Sequence, residues 1–386
     1  MYQLVEKQLN LEFPLDHHLH CMVCQLPVNL GGTEAGCQME KTDQAWGQVR
    51  SVLDLVANGE GNLKRLHFLI LPEASMPAER VDEALELIRQ RFHPNTVTMF
   101  GVEHVALTDY LEMLRRYSTD NGEALQAVQE DLDSGDISGI PVNWAVIAVK
   151  EADGNFRVFL QAKRHPFFGE ESLDYLHDLY RGKIFPWFRC TPVCFNFTAM
   201  ICFDYVYRDL YQSNISSVVH KANQLFHQTR QRLDLLAVLE CNPKPEHRAF
   251  RDVLNGFYGE YLEYNPGVKD AVSVFCNASE ETRIAGLEGD YSYGHSSVAI
   301  HQTHRIGLQQ LAEYATDDFG GLPICRLRFG TKTRLYYFNL PLFHELDPRT
   351  TRVPLKIHSV FVPTDDGTWA RMTEDSTSST MATLNP

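Results

Sequence analysis

The chain is short of basic residues: 35 lysines and arginines face 50 aspartates and glutamates, a formal net charge of −15. A surface of that sign repels phosphates, so sequence-independent nucleic-acid binding is excluded as a default function. No run approaches the roughly 18 consecutive apolar residues of a membrane span, and Met1-Tyr2-Gln3-Leu4-Val5-Glu6 carries neither the basic nor the apolar stretch of a secretory leader. The expectation is a cytoplasmic protein with no membrane partner. Also missing are a repeat of fixed period, a Gly-x-x-x-x-Gly-Lys phosphate loop and a Gly-x-Ser-x-Gly elbow, which Gly294-His295-Ser296-Ser297 does not match. Nucleotide and serine hydrolysis therefore have no support.

What is present is ordinary globular material: 386 residues, 44% hydrophobic and 22% charged, enough for one large domain or two smaller ones. The nine cysteines are an odd number, and several sit inside apolar runs where a reduced thiol behaves as a small hydrophobe, as in a reducing cytosol. The sequons at Asn196, Asn214 and Asn277 are then chance matches.

Period and punctuation predict alternating strands and helices. Cys21-Met22-Val23-Cys24 reads as the first strand, and Leu66 to Leu71, stopped by Pro72, as a buried one. Trp46, Val49, Leu53 and Val56 fall on one helical face, and Val81, Leu85, Ile88 and Phe92 on another. Trp144 to Val149 and Phe156 to Ala162 flank an Asp-Gly turn and read as a hairpin. Further apolar runs occupy Phe197 to Ile201, Leu233 to Leu239 and Ala271 to Phe275, with Phe250, Val253, Phe257 and Tyr261 at helical spacing between the last two. Such alternation argues for an α/β fold. Tyr117 to Val149 has no lysine or arginine, and its polar part reads as an acidic insertion near 117–142, a solvated loop or a lid. Ser376 to Thr380 reads as part of a frayed tail.

Three polar residues follow three different apolar runs: Glu73 after Leu66 to Pro72, Lys163 after Phe156 to Ala162, and Cys202 after Phe197 to Ile201. Strand ends along one edge of an open α/β sheet converge on a crevice. A thiol needs a base to take its proton or a cation to stabilise its thiolate, and these residue types supply both.

Leu71-Pro72-Glu73, Lys163 with Pro166 and Glu171 after it, and Cys202-Phe203-Asp204 with Tyr207 and Asp209 after it, in that order, resemble the nitrilase superfamily of carbon–nitrogen hydrolases. Gln25, the run ending at Asn277, and Gly294-His295-Ser296 fit later landmarks of that family. The resemblance spans residues 17–345, leaving 1–16 as an N-terminal extension and 346–386 as a partly flexible C-terminal one. It implies a four-layer α-β-β-α sandwich of the nitrilase type, no metal or organic cofactor, a homodimer or higher oligomer, and cleavage of a non-peptide C–N bond in an amide, nitrile or N-carbamoyl compound. Carried over by position, Glu73 is the general base, Cys202 the nucleophile and Lys163 the oxyanion stabiliser. Glu171 positions substrate or Lys163, with Glu170 beside it as the alternative, and the Phe203 N–H is a second oxyanion donor.

The competing expectations are four. His17, His18, His20, Cys21 and Cys24, with Cys190 and Cys194, have metal-capable side chains, but Cys21 and Cys24 belong to a strand, and metal is not expected. His165 or His295 could serve a Cys–His pair, although nothing ties either to Cys202. Phe185-Pro186-Trp187-Phe188 fits core packing, a substrate entrance or a dimer interface. From another class, the chain is a nitrilase-like scaffold docking on a protein partner, as modules of this family do in antiviral defence systems that contain a reverse transcriptase.

Overall fold

Short apolar runs bounded by turn residues become strands, and longer amphipathic runs become helices that cover them. In the computed structural model of the chain the described residues are 2–14, 19–33, 36–135, 137–166, 179–209, 213–257, 265–287, 291–301, 314–318, 324–341 and 355–372. Their strands are β1 (Gln3–Leu11), β2 (Leu19–Gln25), β3 (Asn29–Thr33), β4 (Gly36–Met39), β5 (Leu66–Ile70), β6 (Thr96–Ala106), β7 (Pro141–Lys150), β8 (Phe156–Ala162), β9 (Ile184–Pro192) and β10 (Asn196–Ile201). Then follow β11 (Leu235–Glu240), β12 (Val272–Asn277), β13 (Arg283–Ile284), β14 (Ser297–His301), β15 (Tyr314–Asp318), β16 (Ile324–Phe329), β17 (Arg334–Leu340), β18 (Lys356–Pro363) and β19 (Trp369–Arg371). The helices are α1 (Thr42–Asn58), α2 (Val81–Arg91), α3 (Leu107–Arg116), α4 (Ser118–Ser134), α5 (Phe203–Val206), α6 (Asn214–Thr229) and α7 (Arg248–Asn255).

The protein is mixed α/β, with two eight-stranded mixed sheets. One runs β19-β18-β17-β2-β5-β6-β7-β8 and the other β1-β9-β10-β11-β12-β14-β16-β15, with a small β13-β3-β4 sheet apart. Successive side chains on a strand face opposite ways, and both faces of these sheets are apolar. Val23, Ile70 and Ile147 of the first sheet share one buried cluster with Ile201 and Leu239 of the second. On the first sheet's other face, Leu69 and Trp144 pack against apolar residues of α1 to α4. The second sheet turns Met200, Leu236 and Val238 toward α6 and α7. No helix among the described residues is long and apolar enough to cross a membrane.

Three segments differ from the sequence expectation. The first sixteen residues were expected to be an extension, yet Gln3–Leu11 pairs in parallel with β9 along its length. Its charges hid the pattern, because Glu6 accepts from Arg189 and Lys221 while Lys7 donates to Glu123. The acidic stretch after Tyr117 is largely the helix α4, which buries Asn121, Ala124 and Val128. Within the expected C-terminal extension, Lys356–Pro363 pairs with β17 and Trp369–Arg371 pairs with β18. Ser376 to Thr380 lies outside the described residues.

Candidate active site

Each candidate side chain stands where a strand ends and the backbone turns. After β5 the chain makes a tight turn through Pro72, Glu73 and Ala74, whose φ is +51°. The turn is fastened to β6: the Gly101 amide donates to the Pro72 carbonyl, and the Gly101 carbonyl accepts from Ser75 and Met76, each at 3.0 Å. Only glycine fits there, since a Cβ on residue 101 would lie 2.4 Å from the Glu73 Cα and the Ala74 nitrogen. Lys163 follows β8, its amide donating to the Asn143 carbonyl at 2.8 Å and its carbonyl accepting from Gly182 at 3.0 Å. A Cβ on Gly182 would come within 2.1 Å of the Ala162 oxygen, so glycine is again what permits the crossing. Cys202 caps α5 with φ +43° and ψ −106°, a conformation that β-carbon residues rarely occupy and that functional sites often hold under strain. Its amide donates to the Leu239 carbonyl of β11 at 2.8 Å.

The two sheets meet at Glu73. Its Oε1 accepts from Lys163 Nζ and Asn143 Nδ2, both at 2.8 Å and both from the first sheet. Its Oε2 accepts from the Cys241 amide at 2.9 Å, just past β11 of the second. The carboxylate is 4% exposed and the ammonium 1%. A buried pair this dry persists only when hydrogen bonds satisfy both ions, and here three charge-assisted bonds reach the carboxylate.

Cys202 and Glu73 thus hang from one stretch of chain, Leu239 to Cys241. Tyr293 sees both: burial pushes its phenol well above the usual range, and Cys241, Tyr291, Cys202 and Glu73 push the same way. Asp204 ties the elbow to the Lys163 turn by accepting from the Arg164 amide at 3.1 Å and the His165 amide at 2.8 Å. Burial raises the Asp204 carboxyl to about 7, against the pull of the Lys163 charge. His165 is pushed down to about 3, first by burial and then by the Arg164, Arg181 and Lys163 charges, and it stacks on Tyr207.

Glu73 and Lys163 therefore meet directly, and Cys202 is tied through Leu239 to the same stretch of chain whose Cys241 amide holds Glu73; Phe203, next to Cys202, is the first residue of α5. No carbonyl of its own helix can reach the Phe203 amide. Glu171 and its neighbour Glu170 lie outside the described residues, as do His17 and His18. Cys21 and Cys24 fall on opposite faces of β2, one between the sheets and the other toward the helices. Phe185 and Trp187 pack beneath α6, and Phe188 packs between the sheets, all as core.

Sequence reasoning missed Asn143, Cys241 and Tyr293. Cys241 was within reach of the rule that found Cys202, because Glu240-Cys241-Asn242 directly follows the apolar run Leu235 to Leu239. Asn143, a lone amide opening the run Trp144 to Val149, was the other available signal. The landmarks Gln25 and Asn277 act as bolts. Gln25 Oε1 accepts from the Ser296 amide while its Nε2 donates to the Gly330 and Lys332 carbonyls. Asn277 Nδ2 donates to the Asn242 and Gly294 carbonyls, fixing the loops on either side of Tyr293.

No protein-family model matches the chain, and no curated protein matches it.

Proposed function

We propose that the chain is a thiol-dependent carbon–nitrogen hydrolase with a nitrilase-type four-layer α-β-β-α sandwich, acting on a small amide, nitrile or N-carbamoyl compound. The three buried apolar layers, helix on sheet, sheet on sheet and sheet on helix, support the fold reading. The observation that carries the activity is the Glu73 carboxylate, pinned by Lys163, Asn143 and the Cys241 amide beside a strained cysteine elbow. Each carboxylate oxygen has two acceptor directions. Lys163 and Asn143 occupy both on Oε1, and the Cys241 amide takes one on Oε2. The direction left on Oε2 is the one for a thiol or a water proton.

For an amide, Glu73 removes the Cys202 Sγ proton as sulfur bonds to the carbonyl carbon and the C=O pair moves onto oxygen. The Lys163 ammonium and the Phe203 amide stabilise that oxyanion, with Lys163 also holding Glu73 in place. The protonated Glu73 then gives its proton to the departing nitrogen, the C–N bond breaks, and a thioester and an amine result. Glu73 next takes a proton from water, whose oxygen attacks the thioester. The C–S bond breaks, the acid leaves and the proton returns to sulfur. A nitrile enters the same cycle through a thioimidate.

The test pairs Cys202→Ala and Cys202→Ser with turnover of a panel of small amides, nitriles and N-carbamoyl compounds, alongside iodoacetamide labelling read by mass spectrometry. Loss of all turnover in both variants is expected, as is alkylation of Cys202 well ahead of the other eight cysteines. Turnover that survives Cys202→Ala would sink the hydrolase, and uniformly slow labelling would return the chain to the scaffold reading.

A further inference from the structure

The two donors assigned to the oxyanion stand on different sheets. Lys163 directly follows β8 of the first, and the elbow of Cys202 and Phe203 follows β10 of the second. Across the gap Phe159 of β8 shares an apolar cluster with Ala199, Ile201 and Cys202. Apolar packing is non-directional, whereas a donor misplaced by about 1 Å can cost about 10²-fold in rate. The elbow supplies little stiffness of its own, since α5 is only four residues long. A directional tie between the two donors is therefore what the chemistry requires.

Polar side chains cross the gap beside the site. Gln161, two residues before Lys163 and 0% exposed, donates through Nε2 to the Ala199 carbonyl of β10 at 3.1 Å. Asp204, the second residue of α5 and also 0% exposed, reaches the other way. Its Oδ1 accepts from the His165 amide at 2.8 Å, and the Arg164 amide donates to both of its oxygens, at 3.2 and 3.1 Å. Two successive amides held on one carboxylate fix the direction of the chain as it leaves Lys163. The elbow is fixed at its far end as well. The Asp204 carbonyl accepts from Asn214 Nδ2 at 2.9 Å, and Tyr207, just past α5, stacks on the His165 ring with centroids 3.4 Å apart.

We infer that Asp204 is a positioning residue: its carboxylate clasps the Lys163 turn to the cysteine elbow and so sets the Lys163 ammonium and the Phe203 amide around one oxyanion. The inference rests on the hydrolase reading but concerns only the oxyanion step. Activation of the thiol falls to Glu73, whose donors are Lys163, Asn143 and the Cys241 amide rather than the two amides held by Asp204. Loss of the clasp should therefore harm acyl transfer far more than it harms the thiol.

Two reagents on Cys202 of the full chain separate these effects. With p-nitrophenyl acetate, Glu73 takes the thiol proton, sulfur bonds to the carbonyl carbon, an oxyanion forms, and the C–O bond then breaks to release p-nitrophenolate. With iodoacetamide, sulfur displaces iodide from a saturated carbon and no oxyanion develops. The rates are read at pH 8, above the value of about 7 to which burial raises the Asp204 carboxyl, so that it is ionised. Cys202→Ala supplies the background. In Asp204→Asn, shown to be folded by circular dichroism, acylation should fall at least about tenfold further than alkylation. An equal fall in both rates, or no fall in either, overturns the clasp and leaves the hydrolase reading standing, as does wild-type acylation no faster than that of Cys202→Ala. A wild-type Cys202 that alkylates no faster than the other eight cysteines overturns the hydrolase reading and the clasp with it. Should Asp204→Asn not fold, Tyr207→Ala, which removes the half-buried stack on His165, decides: it should lower acylation more than alkylation, and an equal effect on both overturns the inference.

Discussion

The Glu73–Lys163 contact is a buried ion pair, and such pairs are defined more by what their loss costs than by what their presence adds. Glu73→Gln keeps the shape but leaves a dry ammonium, and a stability loss of about 3–5 kcal/mol is expected from urea unfolding. Lys163→Met should cost a similar amount, and the double variant clearly less than the sum, since neither charge is then stranded. In turnover assays Glu73→Gln should lose about 10²–10⁴-fold in kcat, the range of a missing general base. The cysteine elbow has the opposite balance. With Cys202 at φ +43°, the Cβ itself is the source of strain. Cys202→Gly should therefore unfold at higher urea than Cys202→Ala, by about 1 kcal/mol, although both are inert. Lys163, Glu73 and Cys202 were legible in the sequence because each is a polar residue directly after an apolar run. Cys241 was less so, because its contribution to Glu73 is a backbone amide that leaves no trace in side-chain identity. Gly101 and Gly182 reveal themselves only through the distant chain that presses on them.

At the scale of elements, the least legible part of the fold is α4. Its acidic residues suggest solvation, yet Asp120 and Asn121 of its first turn serve the open edge of β8, the last strand of its sheet. Asp120 Oδ2 accepts from the Val158 amide at 3.1 Å, Asn121 Oδ1 accepts from Leu160 at 2.7 Å, and Asn121 Nδ2 donates to the Val158 carbonyl at 2.8 Å. These side chains supply the ladder bonds that a ninth strand would make, one of the ways proteins blunt a sheet edge. Period analysis cannot see this, since a helix that pairs by side chain carries no apolar stripe at those positions. The hairpin of β7 and β8, by contrast, was plain from two apolar runs about an Asp-Gly turn. Because Lys163 directly follows β8, the edge cover bears on the site. Asn121→Ala leaves a buried N–H and C=O without partners, so a loss of about 1–3 kcal/mol is expected in urea unfolding. Hydrogen exchange at Val158 and Leu160 should accelerate while that of β5 stays slow, and equal acceleration in both would show that α4 does not act locally.

Over the whole molecule the buried ionisable groups set how stability responds to pH. Burial raises Asp204 and Asp234 to about 7 and Glu240 to about 8, so in the folded chain these carboxyls keep protons that the unfolded chain has already released. Their contribution is complete below the ordinary carboxyl range and is lost as pH rises through those values. Two histidines act in the other direction. Burial lowers His67 to about 4, and burial with neighbouring cations lowers His165 to about 3. Their contribution is present above the ordinary histidine value and is lost as pH falls. Below about 6.5 the two sets oppose one another, whereas between about 6.5 and 8 the carboxyls titrate alone. Self-repulsion within a chain of formal charge −15 grows in the same direction as more carboxyls ionise. The urea midpoint should therefore fall as pH climbs through that window, each group contributing up to about 1.4 kcal/mol per pH unit. Glu240→Gln should flatten the part nearest pH 8 and Asp204→Asn the part nearest 7. A midpoint that rises across this window would mean that these three carboxyls are ionised in the folded chain, and that the dry interior assigned to Asp204 and Glu240 admits water.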